Sequence, residues 1–156
     1  PFHTGHLLVL QGMVKVSGKV IIGIGSSDKG GTRDNPFSVV ERRDMIQRAL
    51  QAVDIIPMYD VVFIDVPDHP DDEMWTKKVL ELAGRIDKVW TGDPRTRACF
   101  DREAIEIQEI REVPGINATE IRKRMKEGGD WQVLVPSDVA NAIVALDGVE
   151  RVKKMK

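Results

Sequence analysis

The feature that most constrains this chain is an alternation. Short apolar, mostly β-branched runs closed by glycine or polar residues are each followed by a longer stretch with apolar residues at helical spacing. Residues 19–25, 61–64, 88–92 and 104–107 read as strands, the first two apolar enough to be buried on both faces as parallel strands are. Between and around them, Leu7, Leu8, Leu10 and Val14 mark a first helix that Ser17-Gly18 stops. Ser38 and Glu41 form a capping box ahead of Met45, Ile46, Ala49, Leu50 and Val53. Asp71-Asp72-Glu73 opens a third helix through Trp75, Val79 and Leu82, its carboxylates complementing the helix dipole. Asn117–Glu120 opens another that Gly128-Gly129 ends, and 137–146 and the basic tail after Gly148 close the chain as helices. Strands alternating with helices predict an α/β fold: a Rossmann-like doubly wound parallel sheet with helices on both faces and a small helical carboxyl-terminal part. Ligands of such sheets bind at the carboxyl ends of the strands.

The 156 residues suit one domain. No apolar run reaches the roughly 20 residues that cross a bilayer, so no membrane partner is expected. With 23 basic and 25 acidic side chains the net charge is -2, which argues against nonspecific nucleic-acid binding and for a small, locally held anion. The single cysteine, Cys99, allows no internal disulfide and suits a reducing cytoplasm.

The most informative motif is Pro1-Phe2-His3-Thr4-Gly5-His6, immediately before the first helix. Backbone N–H groups and the positive end of the helix dipole face this turn, which makes phosphate its natural guest. His3 and His6 lie on one side of a first helical turn, each offering an N–H donor or a full positive charge, and Gly5 admits a nucleotide close to the backbone. A lone histidine is commonly neither ligand nor catalyst. The four-residue pattern, by contrast, arises by chance in a chain this long on the order of one per cent of the time or less. A metal site is the weaker reading, since the only other histidine is His69 and no thiolate pair accompanies it.

The Pro-Phe-His-x-Gly-His run before an apolar helix resembles the nucleotidyltransferase superfamily of adenylyl- and cytidylyltransferases. Ile116-Asn117-Ala118-Thr119-Glu120-Ile121-Arg122 is similar to its Ile-Ser-x-Thr-x-x-Arg element, with Asn117 standing where Ser is usual. Further stretches resemble the archaeal nicotinamide-mononucleotide (NMN) adenylyltransferases in order along the chain. They are 22–27 with Asn35-Pro36-Phe37 and Glu41-Arg42, Thr91-Gly92-Asp93-Pro94 before Arg97, 119–125, Gly129-Asp130-Trp131 and Gly148–Arg151. The loop 28–32 lacks the Ser-His pair common there. The family begins with a strand and a turn before Pro-Phe-His, so the first strand of the sheet is expected upstream of Pro1.

The resemblance implies an enzyme that makes NAD and pyrophosphate from ATP and NMN. The 5′-phosphate of NMN attacks the α-phosphorus of ATP in line, and because that phosphate is already anionic no general base is needed. Positioning and fixed positive charge then carry the rate. It assigns His3, His6 and Arg122 to catalysis, and Phe2, Gly5, Asn117, Thr119 and Arg124 to ATP. Trp75, Asp68, Gly25, Ser26, Arg33, Asn35, Gly92, Asp93 and Arg97 fall to NMN or NAD. Magnesium would accompany ATP, with no protein-borne metal. From periodicity alone Trp75 reads equally as a core aromatic; the resemblance places it under the nicotinamide ring, a cation on an indole face. Trp90 and Trp131 read as packing residues. A cytoplasmic homo-oligomer is implied, hexamers being common in the family. The alternatives are another member with the same motif (a pantetheine-phosphate adenylyltransferase, an FAD synthetase or a cytidylyltransferase) and a module that senses ATP or NAD without turning it over.

Overall fold

The computed structural model describes residues 1–56 and 61–155. In order, the elements are α1 (Thr4–Val16), β1 (Val20–Ile24), α2 (Val39–Gln51), β2 (Val61–Asp65), α3 (Asp72–Ala83) and β3 (Lys88–Thr91). There follow α4 (Pro94–Asp101), β4 (Glu106–Glu109), α5 (Ala118–Glu127), α6 (Ser137–Ala145) and α7 (Gly148–Lys154), with a 3-10 turn at Gln132–Leu134. No helix among the described residues is long and apolar enough to cross a membrane.

The strands form two parallel pairs, β1 with β2 in register Val20 to Val61, and β3 with β4 in register Lys88 to Glu106. Each pair is joined by a helix, α2 or α4, as parallel strands require. The α/β architecture is therefore as expected, but the sheet is in two halves: β1 and β3 line opposite parts of one cleft of about 890 Å³. This corrects the expectation that 19–25 and 61–64 are buried throughout. Val20, Ile24 and Val61 are buried, while Gly23 and Val62 are exposed, because the pair of strands is covered by helices over part of its surface only.

Two apolar clusters match the halves. The larger gathers Val20, Ile24, Leu50, Ile121, Val139 and Ile143 from β1 and the α1, α2 and carboxyl-terminal helices around it. The smaller is Val66, Val79, Cys99 and Phe100, with Trp75, Val89 and Ile107 against it. Trp131 is buried, as expected, whereas Trp90 is only half-buried and lines the cleft.

Local chemistry sets the boundaries. α1 starts three residues earlier than its apolar stripe suggests, since His3 caps it, and Leu8 points outward at 63% exposure while Leu10 is buried. Ser38 and Glu41 form the expected capping box on α2, which ends at Gln51, before Val53. On α3, Asp71 is the cap rather than a first-turn residue, and Leu82 is exposed while Leu80 packs inward. The strand expected at 104–107 lies two residues later, because Ala104 takes a positive φ of 55° in the turn that follows α4.

Candidate active site

The residues expected at phosphate are built from two helix starts. At the first, the His3 Nδ1 atom accepts from the His6 backbone N–H at 3.3 Å and His6 Nδ1 accepts from that of His3 at 3.3 Å, a reciprocal box made of imidazoles. The rings stack with centroids 3.6 Å apart, and Phe2, itself buried, stacks on His6 at 5.4 Å. Because both Nδ1 atoms are acceptors, each neutral ring carries its proton on Nε2 and has that N–H left to donate. Burial pushes the His3 pKa down to about 4. His6 is lowered to about 3, chiefly by desolvation and then by His3: its outer edge is open to solvent, yet the protein packed around the ring removes most of its hydration. Of the two options left open by the sequence, donor or cation, the unliganded site holds donors. Gly5 is explained by the same geometry, since a Cβ there would lie 3.1 Å from His3 Nδ1 and press the capping ring out of place.

At the second start, Asn117 caps α5, its Oδ1 accepting from the Glu120 N–H at 2.8 Å. Asparagine thus does at this position what serine does at an N-cap. Arg122 donates to Thr119 Oγ1 at 3.3 Å. His3, His6, Asn117 and Thr119 line a single pocket of about 520 Å³ together with Glu112 and Glu120. Arg124 lies apart from it: its guanidinium is held by Glu120 at 2.8 Å and the Asp130 carbonyl at 3.0 Å, so it braces α5.

Of the residues expected at the second substrate, Gly25 and Trp75 line a second space, and Asp68, Ser26, Arg33, Asn35, Gly92, Asp93 and Arg97 do not. Gly25, Trp75 and Thr91, the neighbour of Gly92, line the cleft between the half-sheets. Trp75 is half-buried and meets Phe100 edge-to-face at 6.1 Å, so it is both a packing residue and a cleft wall. Ser26 donates to Asp68 at 2.9 Å, and Lys29 pairs with the other carboxylate oxygen at 2.5 Å; these contacts, Lys29 first, hold the Asp68 carboxyl below its ordinary pKa. Arg33 is exposed, and the Asn35 backbone closes a turn with Thr32. Gly92 permits a close approach, since a Cβ would stand 2.9 Å from the Ile110 carbonyl oxygen. Asp93 is committed to Thr96 as the cap of α4, and Arg97 faces Glu109 at 3.5 Å.

A family model described as cytidylyltransferase-like matches residues 1–124. The chain belongs to that family. Within it the chain groups with the archaeal nicotinamide-nucleotide adenylyltransferases. It is 37% identical over 157 residues to the nicotinamide-nucleotide adenylyltransferase of Thermococcus onnurineus, covering 99% of this chain and 83% of that one. The protein of that name from Thermococcus kodakarensis is 36% identical with the same coverage. That from Methanococcus maripaludis is 32% identical, with 99% and 90% covered. Among solved structures, a bifunctional NMN adenylyltransferase/ADP ribose pyrophosphatase from Francisella tularensis superimposes with a TM-score of 0.80 at 23% identity, over 94% of this chain and 47% of that one. Its complex with AMP and a manganese ion gives 0.78 at 24% identity, over 98% and 48%. The chain thus spans about half of that bifunctional protein, and the likeness establishes the shared fold.

Against this cytidylyltransferase-like frame, sequence reasoning passed over α4, although Asp93-Pro94 carries both a cap and a proline at the first helical position. It also left Glu112 out of the pocket, for which no local signal exists, since a loop residue's neighbours are set by tertiary structure.

Proposed function

We propose that this protein is a nicotinamide-nucleotide adenylyltransferase, forming NAD and pyrophosphate from ATP and NMN. The observation that carries the reading is the meeting of two helix starts, α1 with its imidazole pair and α5 with Asn117 and Thr119, around one pocket, with Arg122 bonded to Thr119. Two positive dipole ends with hydroxyl and guanidinium donors suit a polyphosphate. The names of the relatives supply the substrates.

In this reading ATP lies with its triphosphate along His3, His6, Thr119 and Arg122, and Gly5, Phe2 and Asn117 shape the turn that receives it. Arg124 supports the site through α5. NMN lies between Trp75 and the loop around Gly25, Ser26 and Asp68, at the carboxyl ends of β1 and β2, with Arg33, Asn35, Gly92, Asp93 and Arg97 at its margins. Its 5′-phosphate attacks the α-phosphorus in line, and the bond to the departing pyrophosphate breaks as the new one forms. Neutral Nε2–H donors on His3 and His6 strengthen as charge builds on the phosphate oxygens, which raises the imidazole pKa values in the complex. Among the described residues no group of three or more His, Cys, Asp or Glu side chains could hold a metal. Magnesium would be carried on the triphosphate oxygens, where it would neutralise charge on the leaving group.

The same reading takes residues 1–156 as one nucleotidyltransferase domain, with the cleft between β1 and β3 as the place where one further strand would complete the sheet. It describes a cytoplasmic homo-oligomer, with a hexamer the form to look for, whose near-balanced charge does not suit nucleic acid. Incubation with ATP, magnesium and NMN, followed by a dehydrogenase-coupled assay for NAD, tests it. NAD formation that requires all three supports the reading; tight ATP binding with no NAD formed would refute it in favour of a sensor.

A further inference from the structure

Arg42 on α2 is the hub of the loop that leaves β1. Its Nη1 donates to the Gly25 carbonyl at 2.7 Å, its Nη2 to the Ser26 carbonyl at 2.8 Å and the Lys29 carbonyl at 3.4 Å, and its Nε to the Ser38 carbonyl at 3.4 Å. One guanidinium thus satisfies three loop carbonyls, a task its planar fork performs and a single ammonium does not. The loop needs such a hold. Ser26 has a φ of 48°, and unlike the other non-glycine residues with positive φ (Asp54, Ala104 and Asp147, which follow helices) it lies at the carboxyl end of a strand. A left-handed conformation there is unfavourable for a residue with a Cβ and persists because its surroundings over-determine it. On its far side the loop is tied to the exit of β2: Ser27 N–H donates to the Val66 carbonyl at 3.1 Å, Ser26 Oγ to Asp68 at 2.9 Å, and Asp68 N–H to Asp28 at 2.9 Å.

We propose that Arg42 is the positioning residue for the mononucleotide: by gripping the Gly25, Ser26 and Lys29 carbonyls from α2 it fixes the 25–29 loop, and through it Asp68, in the arrangement that receives NMN. This rests on the assignment of that loop to NMN under the proposed function. Arg42 acts through the backbone, so its loss misplaces the loop without removing a phosphate-directed donor from the ATP pocket.

The test compares wild type, Arg42→Ala and Arg42→Lys by separate KM values for NMN and ATP, kcat, thermal unfolding and amide hydrogen exchange. Both variants are expected to raise the KM for NMN about 10-fold or more while leaving that for ATP within about twofold, the order a misplaced positioning element produces. Exchange at 25–29 rises and that in α5 does not. Lys keeps the charge, so failure of Lys to restore the NMN KM separates the fork from the charge. Should the Ala variant not fold, the Lys variant carries the comparison. An unchanged NMN KM, an equal rise for both substrates, or unaltered exchange at 25–29 would overturn the proposal. Wild type that forms no NAD from NMN would refute the substrate assignment instead, and the exchange data would still decide whether Arg42 holds the loop.

Discussion

At the residue scale, the His3–His6 pair has two roles that mutation separates. Each Nδ1 caps the other's backbone and each Nε2–H is left for ligand. Replacing His6 by Ala is expected to lower turnover by ~100-fold or more, as when one preorganised donor is removed from a transition-state site. The lost cap contact costs only ~1 kcal/mol, so the protein stays folded. Near-normal turnover in the folded variant would sink the role. The same pair shapes the acid limb of stability. Above pH 6.5 both rings are neutral whether folded or unfolded and contribute no pH dependence. As pH falls below 6.5 the unfolded chain takes up protons that folded His3 and His6 refuse until about 4 and about 3, so stability drops through that window. Denaturant midpoints measured from pH 7 to 4 should fall less steeply in a His3→Asn, His6→Asn double variant than in wild type; parallel curves would contradict the lowered pKa values.

At the scale of elements, helix starts were legible and apolar faces less so. Ser38 and Asn117 each announce a cap that the structure contains, because an N-cap is a local contact between a side chain and a backbone group a few residues on. Leu8 and Leu82 sit at plausible helical spacing yet are exposed, since which stripe is buried depends on what the helix meets. The strand at Glu106–Glu109 escaped in register because its residues are mostly polar and Ala104 ends the preceding turn with a positive φ, a conformation that alanine does not signal. Asn117→Ala should cost about 1 kcal/mol in urea unfolding and Asn117→Ser very little. Equal losses would mean that the asparagine contributes something other than its cap.

At the scale of the whole molecule, the sequence pattern conveyed strand-helix alternation and parallel pairing, both of which the two strand pairs keep. The candidate site was half legible: the two phosphate-directed motifs lie about 110 residues apart and are brought together by packing of α1 and α5, while the loop residues owe their placement to Arg42 and Asp68. The carboxyl-terminal helices are fastened to α2 by Arg151, which donates to both carboxylate oxygens of Glu41, and Gly148 sits where a Cβ would come within 2.8 Å of Ile143 on α6 and 2.9 Å of Phe37 ahead of α2. Gly148→Ala is accordingly expected to destabilise the fold by about 1–3 kcal/mol, read by chemical denaturation, with little change in the substrate KM values of the folded fraction. An unchanged midpoint would show that the contact yields.

The central claim, that two helix starts and a neighbouring loop make this chain an NMN-specific adenylyltransferase, is tested most directly by pyrophosphate release. The measurement uses ATP and magnesium with NMN, phosphopantetheine, FMN or glycerol phosphate as acceptor. Release with NMN alone is the predicted result; release with another acceptor in its place, or with none, would contradict it.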